Sequence, residues 1–76
     1  MTTMELFSTR LKDLLAYDEN TKTEISEETL ADAIGVDVAI VYSYLRNEHL
    51  PSYKTALRLR KFFRLSLDFL FGLSED

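Results

Sequence analysis

Apolar positions recur three and four residues apart along most of the chain, the spacing that lines one face of an α-helix. Leu6, Phe7, Leu11, Leu14 and Leu15 predict a first helix over about residues 4–16. The next segment, 17–24 (YDENTKTE), is turn-forming and charged without periodicity, and reads as a loop. Ser26 then has the form of an N-cap, with Glu27 and Glu28 in the first turn, where the helix dipole favours anions. Leu30, Ala31 and Ile34 stripe a second helix, and Gly35 follows, a residue that enters the left-handed conformation at no steric cost. Asp37 caps a third helix, with Val36, Val41 and Tyr44 marking its inner side. Residues 46–51 (RNEHLP) form a second loop. Ser52 opens a fourth helix running to about Phe63, and Ser66 with Asp68 caps a short fifth helix ending near Gly72. The expectation is an all-α, compact five-helix fold without internal repeats, linkers or low-complexity segments.

Residues 27–46 are the most informative stretch. Two short helices around a tight glycine turn form a helix-turn-helix, the arrangement that enters the DNA major groove. Ala31 is small where the two helices would cross. The outward positions of the second helix are Val38, Ala39, Ile40, Tyr42 and Ser43, with no Arg, Lys, Asn or Gln among them.

Composition narrows the class. A chain of 76 residues that is 46% hydrophobic, with two Gly and one Pro, suits a single folded domain over residues 1–76. It has no Cys, which excludes disulfides and thiolate metal sites and fits a reducing cytoplasm. The N-terminal MTTMELFSTRLK lacks the pattern of a secretory signal. No apolar run approaches the roughly 20 residues that span a bilayer. The net charge of −4 is unevenly spread: residues 1–37 carry nine acids against three bases, and 38–45 carry no charge. Residues 46–64 carry Arg46, Lys54, Arg58, Arg60, Lys61 and Arg64 against Glu48. A phosphate backbone feels charge within about 10 Å, so this basic segment is a candidate phosphate-contacting surface. The plainer alternative is that half of these bases solvate the outer face of a helix.

From Phe7 to Ser74 the chain resembles the lambda-repressor and Cro-like domain, the XRE-type helix-turn-helix family. The resemblance rests on RLKDLL (10–15), ISEETLADAIGVD (25–37), the Pro51–Ser52 pair and LSLDFLFGL (65–73). It implies a DNA-binding repressor or regulator that acts as a homodimer on a two-fold operator of double-stranded DNA. The third helix would lie in the major groove, with Val38, Ala39, Tyr42 and Ser43 facing bases and Asp37 at the edge. The phosphate-facing set would be Ser26, Glu27, Ile40, Arg46, Asn47, His49, Ser52 and Lys54.

Several positions depart from the family pattern. Gln is usual where Glu27 stands, and a carboxylate there repels phosphate. Val38, Ala39 and Ile40 can only pack on thymine methyl groups, leaving Tyr42 and Ser43 to donate hydrogen bonds. Arg60 falls where an inner-face apolar residue is usual, so its stem snorkels outward or it pairs with Asp13 or Glu5. Arg64 replaces a C-terminal Gly, which forces a non-Gly residue toward positive φ at about 1 kcal/mol. The loop before Ser26 is about five residues longer than typical, a cheap insertion.

Other chemistry finds no support. His49 lacks a neighbouring ligand set for a metal and reads as a phosphate contact or an ordinary loop residue. No carboxylate pair, nucleophile–base arrangement or glycine-rich phosphate loop appears, so the chain does not read as an enzyme and implies no cofactor. Tyr42 suits a DNA contact or a partner contact equally. Phe62, Phe69, Phe71 and Leu73 exceed what so small a core needs, and either mark an interface or bury against the first helix. The alternative function is a protein-interaction module that keeps the fold and binds a protein partner through the apolar face of the third helix. A third reading makes the chain one module of a longer regulator with a further C-terminal domain.

Overall fold

The structure, a computed structural model, describes residues 2–17 and 22–72. Five helices follow in order: α1 (Thr3–Ala16), α2 (Glu27–Ile34), α3 (Val38–Leu45), α4 (Tyr53–Phe63) and α5 (Leu67–Leu70). Residues 18–21 of the first loop, and Leu73 from the aromatic-rich end, lie outside the described residues. No helix among those described is long and apolar enough to cross a membrane.

Each helix starts on a side-chain oxygen that accepts a hydrogen bond from an otherwise orphaned backbone N–H. Ser26, Asp37, Ser52 and Ser66 take this role at the positions the sequence indicates. At α1 the cap is Thr2, and the Glu5 carboxylate accepts from the Thr2 backbone N–H in return. This reciprocal box begins α1 at Thr3, ahead of its first apolar residue. Hydrogen bonding to Thr2, first of all from its backbone N–H, holds the Glu5 carboxyl below its ordinary range.

The core gathers Phe7, Leu11 and Leu15 of α1 with Leu30, Ala31 and Ile34 of α2, Val41 and Tyr44 of α3, Leu59 and Phe63 of α4, and Leu70 of α5. Ile25 closes one end, where its N–H donates to the Leu15 carbonyl at 2.9 Å. Phe7 is fully buried, with Tyr44 edge-on at 5.6 Å and Phe71 tilted against it at 5.5 Å. Buried Ser8 donates its hydroxyl to the Leu45 carbonyl at 3.0 Å, which ties α1 to the C-terminal end of α3.

The surplus aromatics find partners within the fold. Phe71 packs on Phe7, Phe62 meets Phe63 edge-on at 5.0 Å, and the Arg10 guanidinium sits 4.4 Å over the Phe69 ring. Arg10 also donates to the Phe69 carbonyl. All three rings are half-buried, and Phe62 and Phe71 pack against the core, which is closer to the reading that they bury within the fold than to an exposed patch.

Two arginines sit differently from the sequence reading. Arg60 is exposed, because the inner face of α4 is set by Ala56, Leu59 and Phe63 and Arg60 lies one residue, about 100°, round from Leu59. Neither a buried stem nor a pairing with Asp13 or Glu5 is needed. Arg58 instead donates to the Ile34 carbonyl at 3.1 Å, placing a cation at the C-terminal end of α2 where the helix dipole favours it.

Gly35 and Arg64 share one backbone conformation with opposite fitness. Gly35 ends α2 at φ 72°, and a Cβ there would stand 2.7 Å from the Arg58 guanidinium. Arg64 ends α4 at φ 58°, as its replacement of glycine implies. Gly35→Ala should lower unfolding free energy by about 1–2 kcal/mol, from positive φ and the displaced Arg58. Arg64→Gly should raise it by about 0.5–1 kcal/mol, since relieved strain outweighs the unfolded-chain entropy glycine adds. Urea denaturation of both variants checks the pair of signs.

Candidate nucleic-acid interface

The outward face of α3 is set by what its inner face must bury. Val41 is fully buried and Tyr44 nearly so, which turns Ala39, Ile40 and Tyr42 to the surface. Ile40 and Tyr42 remain 41% and 37% exposed, unusual for large apolar side chains on a helix of eight residues. Val38 is half-buried, packed against the core at the start of the helix. It offers an edge to the surface rather than a whole side chain.

Ser43 corrects the sequence reading. It is 5% exposed, and its hydroxyl donates to the Ile40 carbonyl at 2.6 Å. Placed between Val41 and Tyr44 on the inner side, it bonds back into its own helix as serines in helix interiors do. Tyr42 is therefore the one hydroxyl on the exposed face of α3 among the described residues.

The first turn of α2 borders this face. Ser26 is exposed, but its hydroxyl accepts from the Thr29 N–H at 3.1 Å and donates to the Thr29 hydroxyl at 2.8 Å. Glu27 is half-buried and Glu28 exposed. The Glu28 carboxylate, then partial burial, then Glu27 push the Tyr42 phenol above its ordinary range. These three side chains thus share one surface, and the phenol stays a neutral donor at physiological pH. Between α2 and the start of α3 lies a cleft of about 400 Å³ lined by Glu28, Ala31, Asp32, Val36, Asp37 and Val38. Asp37 is occupied by its cap, accepting from the Ala39 N–H at 2.9 Å.

The other flank is basic. Arg46 ends α3 and is held by Glu48 through two hydrogen bonds of 3.0 and 3.1 Å, which keep the Glu48 carboxyl below its usual range. Both side chains are about half exposed, so the pair is weak and exchangeable for another anion. Asn47 takes φ 63°, a left-handed conformation asparagine tolerates, and its N–H returns to the Tyr44 carbonyl. His49 and Lys54 are exposed. The Ser52 hydroxyl is engaged at the start of α4 with Thr55. Of the residues proposed from sequence, Ala39, Ile40, Tyr42, Asn47, His49 and Lys54 are exposed, Arg46 is exposed but paired with Glu48, and Ser43 is withdrawn into the fold.

A family model described as Helix-turn-helix matches residues 21–70, which is most of the chain and includes α2 through α5. The chain belongs to the lambda-repressor and Cro-like helix-turn-helix family. No curated protein and no solved structure matches it significantly. In this helix-turn-helix protein α1 lies outside the matched span yet contributes Phe7, Leu11 and Leu15 to the core.

Sequence reasoning missed Leu50, Tyr53 and Leu57, exposed at 44%, 74% and 37%. The signal was present: Tyr53 and Leu57 are four apart on α4 and out of register with the buried Ala56, Leu59 and Phe63. The electrostatic reading of Tyr42 is directly testable. Glu28→Gln should move the phenol's titration midpoint down toward its ordinary value, followed through the Tyr42 ring signals in NMR. An unmoved midpoint would separate Glu28 from that surface.

Proposed function

We propose that this helix-turn-helix protein is a repressor-like transcriptional regulator that binds double-stranded DNA as a homodimer, with α3 in the major groove. The observation that carries this reading is the outward presentation of Ala39, Ile40 and Tyr42, flanked by exposed Arg46, His49 and Lys54. A helix offering those side chains has little hydrogen-bonding capacity. It favours apolar contact with thymine C5-methyl groups, plus one donated bond from the Tyr42 hydroxyl to a base acceptor. Arg46 would exchange Glu48 for a phosphate, and Lys54 would reach a phosphate directly. Glu27 and Glu28 set a repulsive border, so the complex would depend strongly on the basic flank and on ionic strength.

The acidic border also favours a second reading, in which the exposed Ile40 and Tyr42 engage a protein partner. Selection of random duplexes by the purified protein at low salt separates the two. Enrichment of a two-fold, thymine-containing motif with half-sites about one helical turn apart supports the regulator. Absence of any enriched duplex, with association to a protein that Ile40→Asp abolishes, supports the partner. For the regulator, Lys54→Ala should weaken binding to all duplexes alike and reduce the slope of log affinity against log salt by about one. Fluorescence anisotropy across a salt series measures it.

A further inference from the structure

A regulator of this kind has still to distinguish one base pair from another, and the fold narrows how by what it removes from the exposed face of α3. Ala39 and Tyr42 are three residues apart and lie side by side on that face, with the edge of Val38 four residues before Tyr42. Ile40 stands about 100° round from Ala39, at the flank. The Ser43 hydroxyl is bonded to the Ile40 carbonyl, and the Asp37 carboxylate accepts from the Ala39 N–H. The carboxylates beside Tyr42, those of Glu28 and Glu27, belong to α2, the helix that crosses the DNA backbone in this docking mode. Asn47 and His49 follow the end of α3, away from the N-terminal half that meets base edges. What α3 presents is the methyl group of Ala39, the edge of Val38, and the ring and hydroxyl of Tyr42.

Along the major groove an A·T pair shows the purine N7 acceptor, the N6 donor, the O4 acceptor and then the thymine C5-methyl group. A G·C pair methylated at C5 of cytosine keeps N7 at one end and the methyl at the other. Only the middle differs, with the O6 acceptor now before the N4 donor. Telling the two pairs apart takes a group of fixed sense in the middle: an amide, a guanidinium or a carboxylate. The exposed face of α3 has none. The Tyr42 hydroxyl donates or accepts as its partner requires. Ala39 is a residue type that packs on a C5-methyl group. Resting on the regulator reading above, we propose that α3 reads the C5-methyl group of a pyrimidine whichever base pair carries it. 5-Methylcytosine paired with guanine then takes the place of thymine paired with adenine. The ligand is double-stranded DNA bearing C5-methyl groups in the major groove, and methylation of cytosine creates sites that the unmethylated sequence does not offer.

Four duplexes of one length test it by fluorescence anisotropy at low salt: alternating A–T, alternating A–U with deoxyuridine for thymine, alternating G–C, and alternating G–5-methylcytosine. Within the A-containing pair, and within the G-containing pair, the bases differ only by the methyl group. The methylated member of each pair should bind tighter by about fourfold per contacted methyl, the equivalent of about 0.8 kcal/mol. Ala39→Gln supplies a bidentate partner for adenine N6 and N7. It should shrink the difference between A–T and A–U and favour both over the G-containing duplexes. Circular dichroism confirms that the variant is folded. Equal binding within either pair overturns the proposal, as does a methyl preference that Ala39→Gln leaves unchanged. Salt-dependent binding of all four without a methyl preference leaves the regulator standing and removes only the methyl readout. Binding of none of them at low salt overturns both.

Discussion

The corner between α2 and α3 is the constraint on which the remaining geometry depends. Gly35 turns the chain through positive φ, which lets α3 start three residues later, at Val38, under its own Asp37 cap. Ala31 stays nearly fully buried beside that turn, where a small side chain lets the helices meet. Arg58 reaches from α4 to the Ile34 carbonyl, so the end of α2 is tied to a third helix. With the corner fixed, Val41 and Tyr44 must enter the core against Phe7. Ile40 and Tyr42, one position to either side of Val41, are then carried outward. Ser8 secures the far end of α3 by its bond to Leu45. The functional face is thus a by-product of how the opposite face is buried.

That burial also decides which polar groups remain for a ligand. Ser26, Asp37 and Ser52 lie near the candidate interface, and each has its side-chain oxygen engaged in starting a helix. Ser43 bonds within α3, and Arg46 is matched to Glu48. What is left on α3 is apolar surface and one phenol, with carboxylates on one flank and cations on the other. In the proposed reading, discrimination by such a face would rest on shape and methyl contact more than on bidentate hydrogen bonding.

The exposed apolar surface divides between two helices. On α3 it lies on Ile40 and Tyr42. On α4 it lies on Tyr53 and Leu57, while Phe62 and Phe71 are half-buried against the core.

The sequence by itself determined the helices, four of their five caps and the glycine turn, because these depend on neighbours within about four residues along the chain. The spacing of Leu30, Ala31 and Ile34, the oxygens of Ser26, Asp37, Ser52 and Ser66, and the misfit of Arg64 were all legible there. Tertiary structure decided which side of each helix reached solvent and which polar groups found a partner. Ser43 reads as outward until the depth of Val41 and Tyr44 fixes the rotation of α3. Arg58 and Arg60 are near neighbours in sequence, yet one serves the end of α2 and the other faces solvent. Phe69 and Phe71 look like a surface patch until Arg10 and Phe7 of α1 are brought against them. Those outcomes depend on contacts between helices distant in sequence, and no local pattern encodes the rotation of one helix against another.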